Sequence, residues 1–262
     1  MHVTCAARTD VGLVRSGNED KYLMLADRGL FILADGMGGH AAGEVASEMA
    51  VRITSHEIGS LLGLSDEEAS DRVRAAIRTA NRAIFQRTLS EQDKRGMGTT
   101  ATVLVLRRGR YLIGQVGDSR VYLCRNGELL QLTRDHSLVQ ELVDDGLLTP
   151  DQARVHACRK VITRCVGTSG DVVPDIFLGM LEQGDILLIA SDGLTGMLED
   201  AQLIRIMSSG GGPQHWVDRM ITEANHRGGL DNITAIVVRI ESVDSPAGEQ
   251  PAETAAVGGA ER

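Results

Sequence analysis

Five short apolar runs in this chain each meet an acidic residue at one end, and this pattern limits the fold more than any other feature. Residues 30–34 run into Asp35-Gly36, 111–116 into Gly117-Asp118, and 185–191 into Asp192-Gly193. Asp231-Asn232 opens the run 233–240, and Glu19-Asp20 precedes the run 21–26. Each run has the length and content of a buried strand. A carboxylate at the end of such a strand, beside a backbone free to turn, sits in a cleft and not in the core. A single Asp-Gly after a strand is more often only a turn, and Asp10 and Asp135 are read that way. Five strand-end acids together predict convergence on hard divalent cations, which take oxygen ligands.

Across the chain, residues 2–8, 96–107, 110–116, 120–124, 129–132, 171–180, 184–190 and 233–240 read as strands. The stretch 96–132 predicts an antiparallel meander, with Gly117-Asp118-Ser119 as one turn and Asn126-Gly127 as a hairpin. Ser65 and Glu68 form a capping box that opens a long helix to about residue 92, with Val73, Ile77, Ala80 and Ile84 inward. Arg72, Arg74, Arg78, Arg82 and Arg87 on that helix read as a solvated face. Other helices are predicted over 43–63, with Val45, Met49, Ile53 and Leu61 on one face, and over 138–145, 200–208 and 214–226, the last packing Trp216. Two early helices, central antiparallel strands and two late helices predict an α+β sandwich with helices outside two sheets. Residues 146–170 mix charge with few core positions and read equally well as a flap or as an ordinary connection. From Ser242 the composition turns to Ser, Pro, Ala, Gly, Glu and Thr, which predicts a disordered tail over 242–262.

Aromatic residues are only 3% of the chain, so aliphatic side chains must fill the core. The net charge of −9 argues against a nucleic-acid surface. The four cysteines show no C-x-x-C pair and lie in no phosphate-cradling loop, so they read as reduced thiols of a cytoplasmic protein and not as nucleophiles. No signal peptide or span-length apolar run is visible, and a monomer without a membrane span is expected.

Two hard cations sharing a carboxylate, about 3.5–4 Å apart, activate a bridging water and neutralise the charge of an in-line phosphoryl transfer. Arg15 lies four residues before the acidic pair, and its planar fork suits a phosphate. The same spacing equally allows a surface ion pair with Glu19.

Six motifs then carry a resemblance. Arg15-x-x-Asn18-Glu19-Asp20, Ala34-Asp35-Gly36-Met37-Gly38-Gly39-His40, Gly98-Thr99-Thr100, Gly117-Asp118-Ser119-Arg120, Ser191-Asp192-Gly193 and Asp231-Asn232-Ile233-Thr234 stand in an order that resembles the metal-dependent type 2C serine/threonine protein phosphatases in their bacterial form. The resemblance covers about residues 3–241. It implies a four-layer α-β-β-α sandwich of two antiparallel sheets, a catalytic domain over 1–241 and a flap at about 146–170. It implies hydrolysis of phosphoserine and phosphothreonine by direct attack of a metal-bridging hydroxide, with two Mn2+ or Mg2+ ions and no phosphoenzyme. Asp35 would bridge the ions, the Gly36 carbonyl would bind one, and Asp192 and Asp231 would complete the other site. Glu19 and Asp20 would ligate or orient waters, Asp118 would share a third, weaker ion with Asp192, and Arg15 would hold the substrate phosphate. The partners would be phosphoproteins, including a partner serine/threonine kinase whose action the enzyme reverses. Eukaryotic members carry a histidine where this chain has Met37, so His40 is the nearest general acid, in competition with a bound water. A regulatory module that captures a phosphoprotein without turnover is the alternative, and the intact acids and Arg15 speak against it.

Overall fold

The computed structural model describes residues 1–38, 42–61 and 63–243. The predicted tail falls outside the described residues from 244 onward.

Two antiparallel sheets form the centre. One runs in the order β1 (His2–Asp10), β11 (Ile233–Ser242), β10 (Ile186–Ala190), β7 (Arg120–Arg125) and β8 (Glu128–Gln131). The other runs β2 (Asp20–Leu25), β3 (Leu30–Met37), β5 (Ala101–Arg107), β6 (Arg110–Val116) and β9 (Asp175–Met180), and the short β4 (Gly98–Thr99) also pairs with β3. Strand side chains alternate between faces, so each strand serves two cores. On β3, Phe31 and Leu33 join Leu187, Ile189, Ile236 and Val238 between the sheets. Leu30, Ile32 and Ala34 face the other way, onto α1 (Ala42–Ile58) and α2 (Asp66–Ser90). Beyond the first sheet, α6 (Asp200–Met207) and α7 (Gly212–His226) bury Leu203, Ile206, Trp216 and Met220. The result is the expected four-layer sandwich.

The capping box is present: Ser65 N–H donates to Glu68 Oε2 at 2.7 Å, and Glu68 N–H donates to Ser65 Oγ at 3.2 Å. Val73, Ile77, Ala80 and Ile84 are all buried, as the spacing predicts.

Three local expectations fail for physical reasons. The stretch 96–132 is not one meander, because β6 and β7 lie in different sheets. Both strands are apolar on both faces, so local pattern did not distinguish a hairpin from a crossing between sheets. The strand predicted over 96–107 is broken at Thr100, whose hydroxyl and N–H are spent on Asp35. The helix predicted over 43–63 ends at Ile58; Val45 and Met49 pack against the core only partly buried, and the innermost residues are Ala46, Ser47, Ala50, Thr54 and Ile58. Close packing explains why mostly small residues sit deepest, since a Cβ at Gly43 would meet the Glu19 carboxylate and the Gly36 backbone.

Phe31 is fully buried between the sheets. Phe31→Ala is expected to lower the unfolding free energy by about 3–5 kcal/mol, read from the urea midpoint. A loss below about 1 kcal/mol would mean that the inter-sheet core does not carry the fold.

Candidate metal centre

The alternation that sends Phe31 and Leu33 between the sheets sends Asp35 there too, at one end of the sandwich. The strand does not turn at Asp35, contrary to expectation. It continues to Met37 because Gly36 and Met37 pair with Thr99 and Gly98. Asp20 stands directly opposite Asp35 in the β2–β3 register, so the two carboxylates share a face. Asp118 rides on the crossing from β6 to β7, which Gly117 makes at φ +108°. Asp192 is the first residue of α5 (Asp192–Thr195), with one residue, Ser191, between it and the end of β10. Asp231 lies just before β11. Both sheets therefore deliver acids to one point.

Hydroxyl and amide side chains hold these elements. Asp35 N–H donates to Thr100 Oγ1 at 2.9 Å, and Thr100 Oγ1 lies 2.9 Å from Ser119 Oγ. Asp20 Oδ2 accepts from Thr234 Oγ1 at 2.6 Å, which ties one sheet to the other. Asn232 is buried and accepts from Glu19 N–H at 2.8 Å. Arg15 is bonded to Asp231 and not to Glu19, with Nε 2.9 Å from Oδ1 and Nη2 3.0 Å from Oδ2. Lys160 donates to Asp231 Oδ2 at 2.5 Å and lies 4.0 Å from Asp192.

The cluster carries more negative charge than its surroundings balance. Burial and then the neighbouring carboxylates, Asp20 first, hold Asp35 well above the usual range. Burial raises Asp20 to about 7 and Asp118 to about 8, with Asp192 adding repulsion to each. Burial and Asp231 also raise Asp192, which shares a hydrogen bond with Asp35. Glu19 is raised chiefly by burial. Asp231 alone moves down, because the Lys160 and Arg15 bonds outweigh its burial. Asp20 Oδ1 and Asp118 Oδ1 are buried with no hydrogen-bond partner.

Oxygen-only donors, surplus negative charge and two orphaned carboxylate oxygens fit a hard divalent cation. Among the described residues, no three acidic, histidine or cysteine side chains already stand as a ligand shell, and Asp231 is turned onto its two cations instead. Gly36 is buried, and a Cβ there would collide with the Gly43 carbonyl oxygen. His40 lies outside the described residues.

Raised carboxylates link stability to pH. A group whose folded pKa exceeds its unfolded value stabilises the fold below the unfolded pKa, and this is lost as pH rises through the folded one. With Asp20 near 7 and Asp118 near 8, the chelator-treated protein should melt at lower temperature as pH rises from about 5 to about 8.5. Excess Mn2+ should flatten that slope. Thermal scans at each pH check it, and an unchanged slope with Mn2+ would count against a cation site here.

Several residues at the site escaped the sequence reading. Asp135 is not a turn residue: it is buried and accepts from Arg120 Nη2 at 2.7 Å, below the crossing that carries Asp118. An arginine opening a core strand demands such a partner, and that was the available signal. His136 Nδ1 accepts from Gly117 N–H at 3.0 Å, so the ring proton sits on Nε2, which faces Asp175 at 3.1 Å. Lys160 gave no signal, because only the folded path of residues 146–170 brings it to Asp231. That segment contains α4 (Pro150–Val155) and walls a cleft of about 780 Å³ that opens from Asp118, Asp192 and Asp231.

The protein phosphatase 2C family profile matches residues 15–226. The serine/threonine phosphatase Stp of Listeria monocytogenes is 40% identical over 237 residues, covering 88% of this chain and 93% of that protein. The chain belongs to the protein phosphatase 2C family of serine/threonine phosphatases. Solved members share its fold. The Mycobacterium tuberculosis phosphatase PstP/Ppp superposes with a TM-score of 0.85 at 38% identity, covering 92% of this chain and 99% of that one. The catalytic domain of PstP in complex with two manganese ions gives 0.80 at 36% identity, with 90% and 97% covered. As a member of this family the chain is an enzyme, a bacterial-type phosphatase whose family is metal dependent. Among the described residues, no helix is long and apolar enough to cross a membrane.

Proposed function

We propose that residues 1–241 form one catalytic domain that hydrolyses phosphoserine and phosphothreonine in proteins, using two Mn2+ or Mg2+ ions, and that it reverses a bacterial serine/threonine kinase in the cytoplasm. The observation that carries this reading is the delivery of Asp20, Asp35, Asp118, Asp192 and Asp231 from both sheets to one end of the sandwich, with Arg15 at its edge. Asp35, Asp192 and Asp231 are assigned the principal ions, with the Gly36 carbonyl as a further ligand. Asp118 and Asp192 would together hold a third ion. Glu19 and Asp20 would ligate an ion or orient its waters. Bound divalent ions supply an activated water and offset the charge that develops on the phosphoryl group, without a phosphoenzyme.

The chain's own groups do the rest. Arg15 presents a two-pronged fork that matches two phosphate oxygens once Asp231 is engaged by a cation. Lys160, from the wall at 146–170 that we read as the flap, competes with any cation for Asp231. Lys160→Met should therefore tighten Mn2+ binding by several-fold in calorimetric titration, since a directly bonded opposing charge is removed. Weaker binding would mean that Lys160 orders the site. The four cysteines are free thiols, which fits a reducing compartment.

The reading is tested by phosphate release from a phosphothreonine peptide and a phosphotyrosine peptide with Mn2+, with Mg2+ and with chelator. Metal-dependent release that favours phosphothreonine is expected. A folded protein that binds the peptide but releases nothing would instead be a module that captures phosphoproteins.

A further inference from the structure

Three apolar side chains stand exposed beside the acid cluster and belong to no part of the core: Leu13 at 69% exposure, Val14 at 64% and Leu230 at 48%. They lie on two loops that are joined to each other. Leu13 N–H donates to the Gly229 carbonyl at 2.8 Å. Gly12, at φ +79°, lies so close that a Cβ would collide with the Asp231 carbonyl oxygen, and a Cβ at Gly229 would sit 3.0 Å from Leu13 Cγ. Both loops are pinned from below. Asn232 Nδ2 donates to the Val11 and Gly17 carbonyls, each at 2.9 Å. Asp10 Oδ1 accepts from Gly12 N–H at 2.9 Å and from Asn225 Nδ2 at 3.1 Å.

A loop pair held this firmly, yet presenting leucine to solvent, is built for contact. Single exposed apolar residues mean little, whereas a group beside a functional centre marks a recognition surface. This group adjoins the centre on both loops, since Val14 precedes Arg15 and Leu230 precedes Asp231.

We infer that this apolar rim receives the polypeptide beside the phosphoresidue, so that the enzyme favours phosphoproteins with Leu, Ile or Val close to the phosphoserine or phosphothreonine. The inference rests on the proposed role of Arg15 as the phosphate-holding residue. A phosphoryl group at Arg15 forces the flanking chain across the adjoining surface. An extended chain advances about 3.3 Å per residue, so neighbours within about three residues cover about 10 Å, enough to pass Leu13 and Leu230. Leu230 borders the cleft that opens from Asp118, Asp192 and Asp231, and farther in that cleft adds the charges of Arg154, Lys160, Glu199 and Asp200, so the apolar preference is expected on the flank that meets Leu13 and Leu230. Three side chains are far too little surface for a second copy of the chain to bind stably.

The test is a panel of fluorescein-labelled phosphothreonine peptides that differ only in having leucine or aspartate at one position, up to about three residues before or after the phosphoresidue. Each kcat/KM is divided by that for p-nitrophenyl phosphate, which is too small to reach the rim. In the unaltered protein the leucine peptide should exceed its aspartate counterpart by about tenfold at one or more positions on a single flank, mainly through KM. In the double variant Leu13→Ser with Leu230→Ser that ratio should fall to near one. No preference in the unaltered protein, or a preference that survives in the variant, would overturn the inference. Fluorescence anisotropy of the same peptides reads the rim without turnover. If nothing is hydrolysed, the phosphatase reading fails, and a leucine preference in binding, present or absent, still decides the rim.

Discussion

Asp192→Asn is expected to cut metal-dependent turnover of a phosphothreonine peptide by more than about a hundredfold. Residues that merely support metal ligands cost 10–100-fold when altered, and a ligand itself costs more. The change keeps the shape of the side chain and removes one negative charge. That charge is raised in pKa by burial and by Asp231, and it shares a hydrogen bond with Asp35, so removing it relieves repulsion in the metal-free fold. Melting of the chelator-treated variant should therefore match or exceed that of the unaltered protein. Loss of turnover with an intact fold separates a chemical role from a structural one. Near-normal turnover would remove Asp192 from the site.

Arg15→Ala should raise KM for the phosphopeptide by roughly 10–100-fold, the worth of a charge-assisted hydrogen-bonding pair. Its effect on metal must run the other way. Arg15 holds both oxygens of Asp231, at 2.9 and 3.0 Å, so its removal frees a ligand. Mn2+ affinity measured by calorimetry should hold or rise. A fall in Mn2+ affinity would make Arg15 a scaffold for Asp231 and not a phosphate group holder.

The layers were legible in the sequence because burial writes itself into periodicity. The α2 capping box and its inward face Val73, Ile77, Ala80 and Ile84 are local signals, and they hold in the structure. The acids were legible for a related reason. Asp35, Asp118, Asp192 and Asp231 interrupt or abut runs that are mostly buried, and a core seldom tolerates that without a purpose. What pattern did not show is what long-range contact decides. The β6–β7 connection is indistinguishable from a hairpin until the sheets are built, yet that crossing is what carries Asp118 into the cluster. On α1 the predicted Val45 and Met49 do pack against the core, but close approach puts small residues such as Ala46, Ser47 and Ala50 deepest, and periodicity weighs large ones. Lys160 and the Arg120–Asp135 pair owe their roles to partners 71 and 15 residues away.

The most direct measurement is anomalous diffraction at the manganese edge from crystals grown with Mn2+ at a concentration that supports turnover. Two strong peaks are expected among Asp35, Asp192 and Asp231, with the Lys160 ammonium displaced from Asp231. Manganese bound elsewhere, or none among those three carboxylates, would contradict the assignment of the acid cluster as the catalytic metal centre.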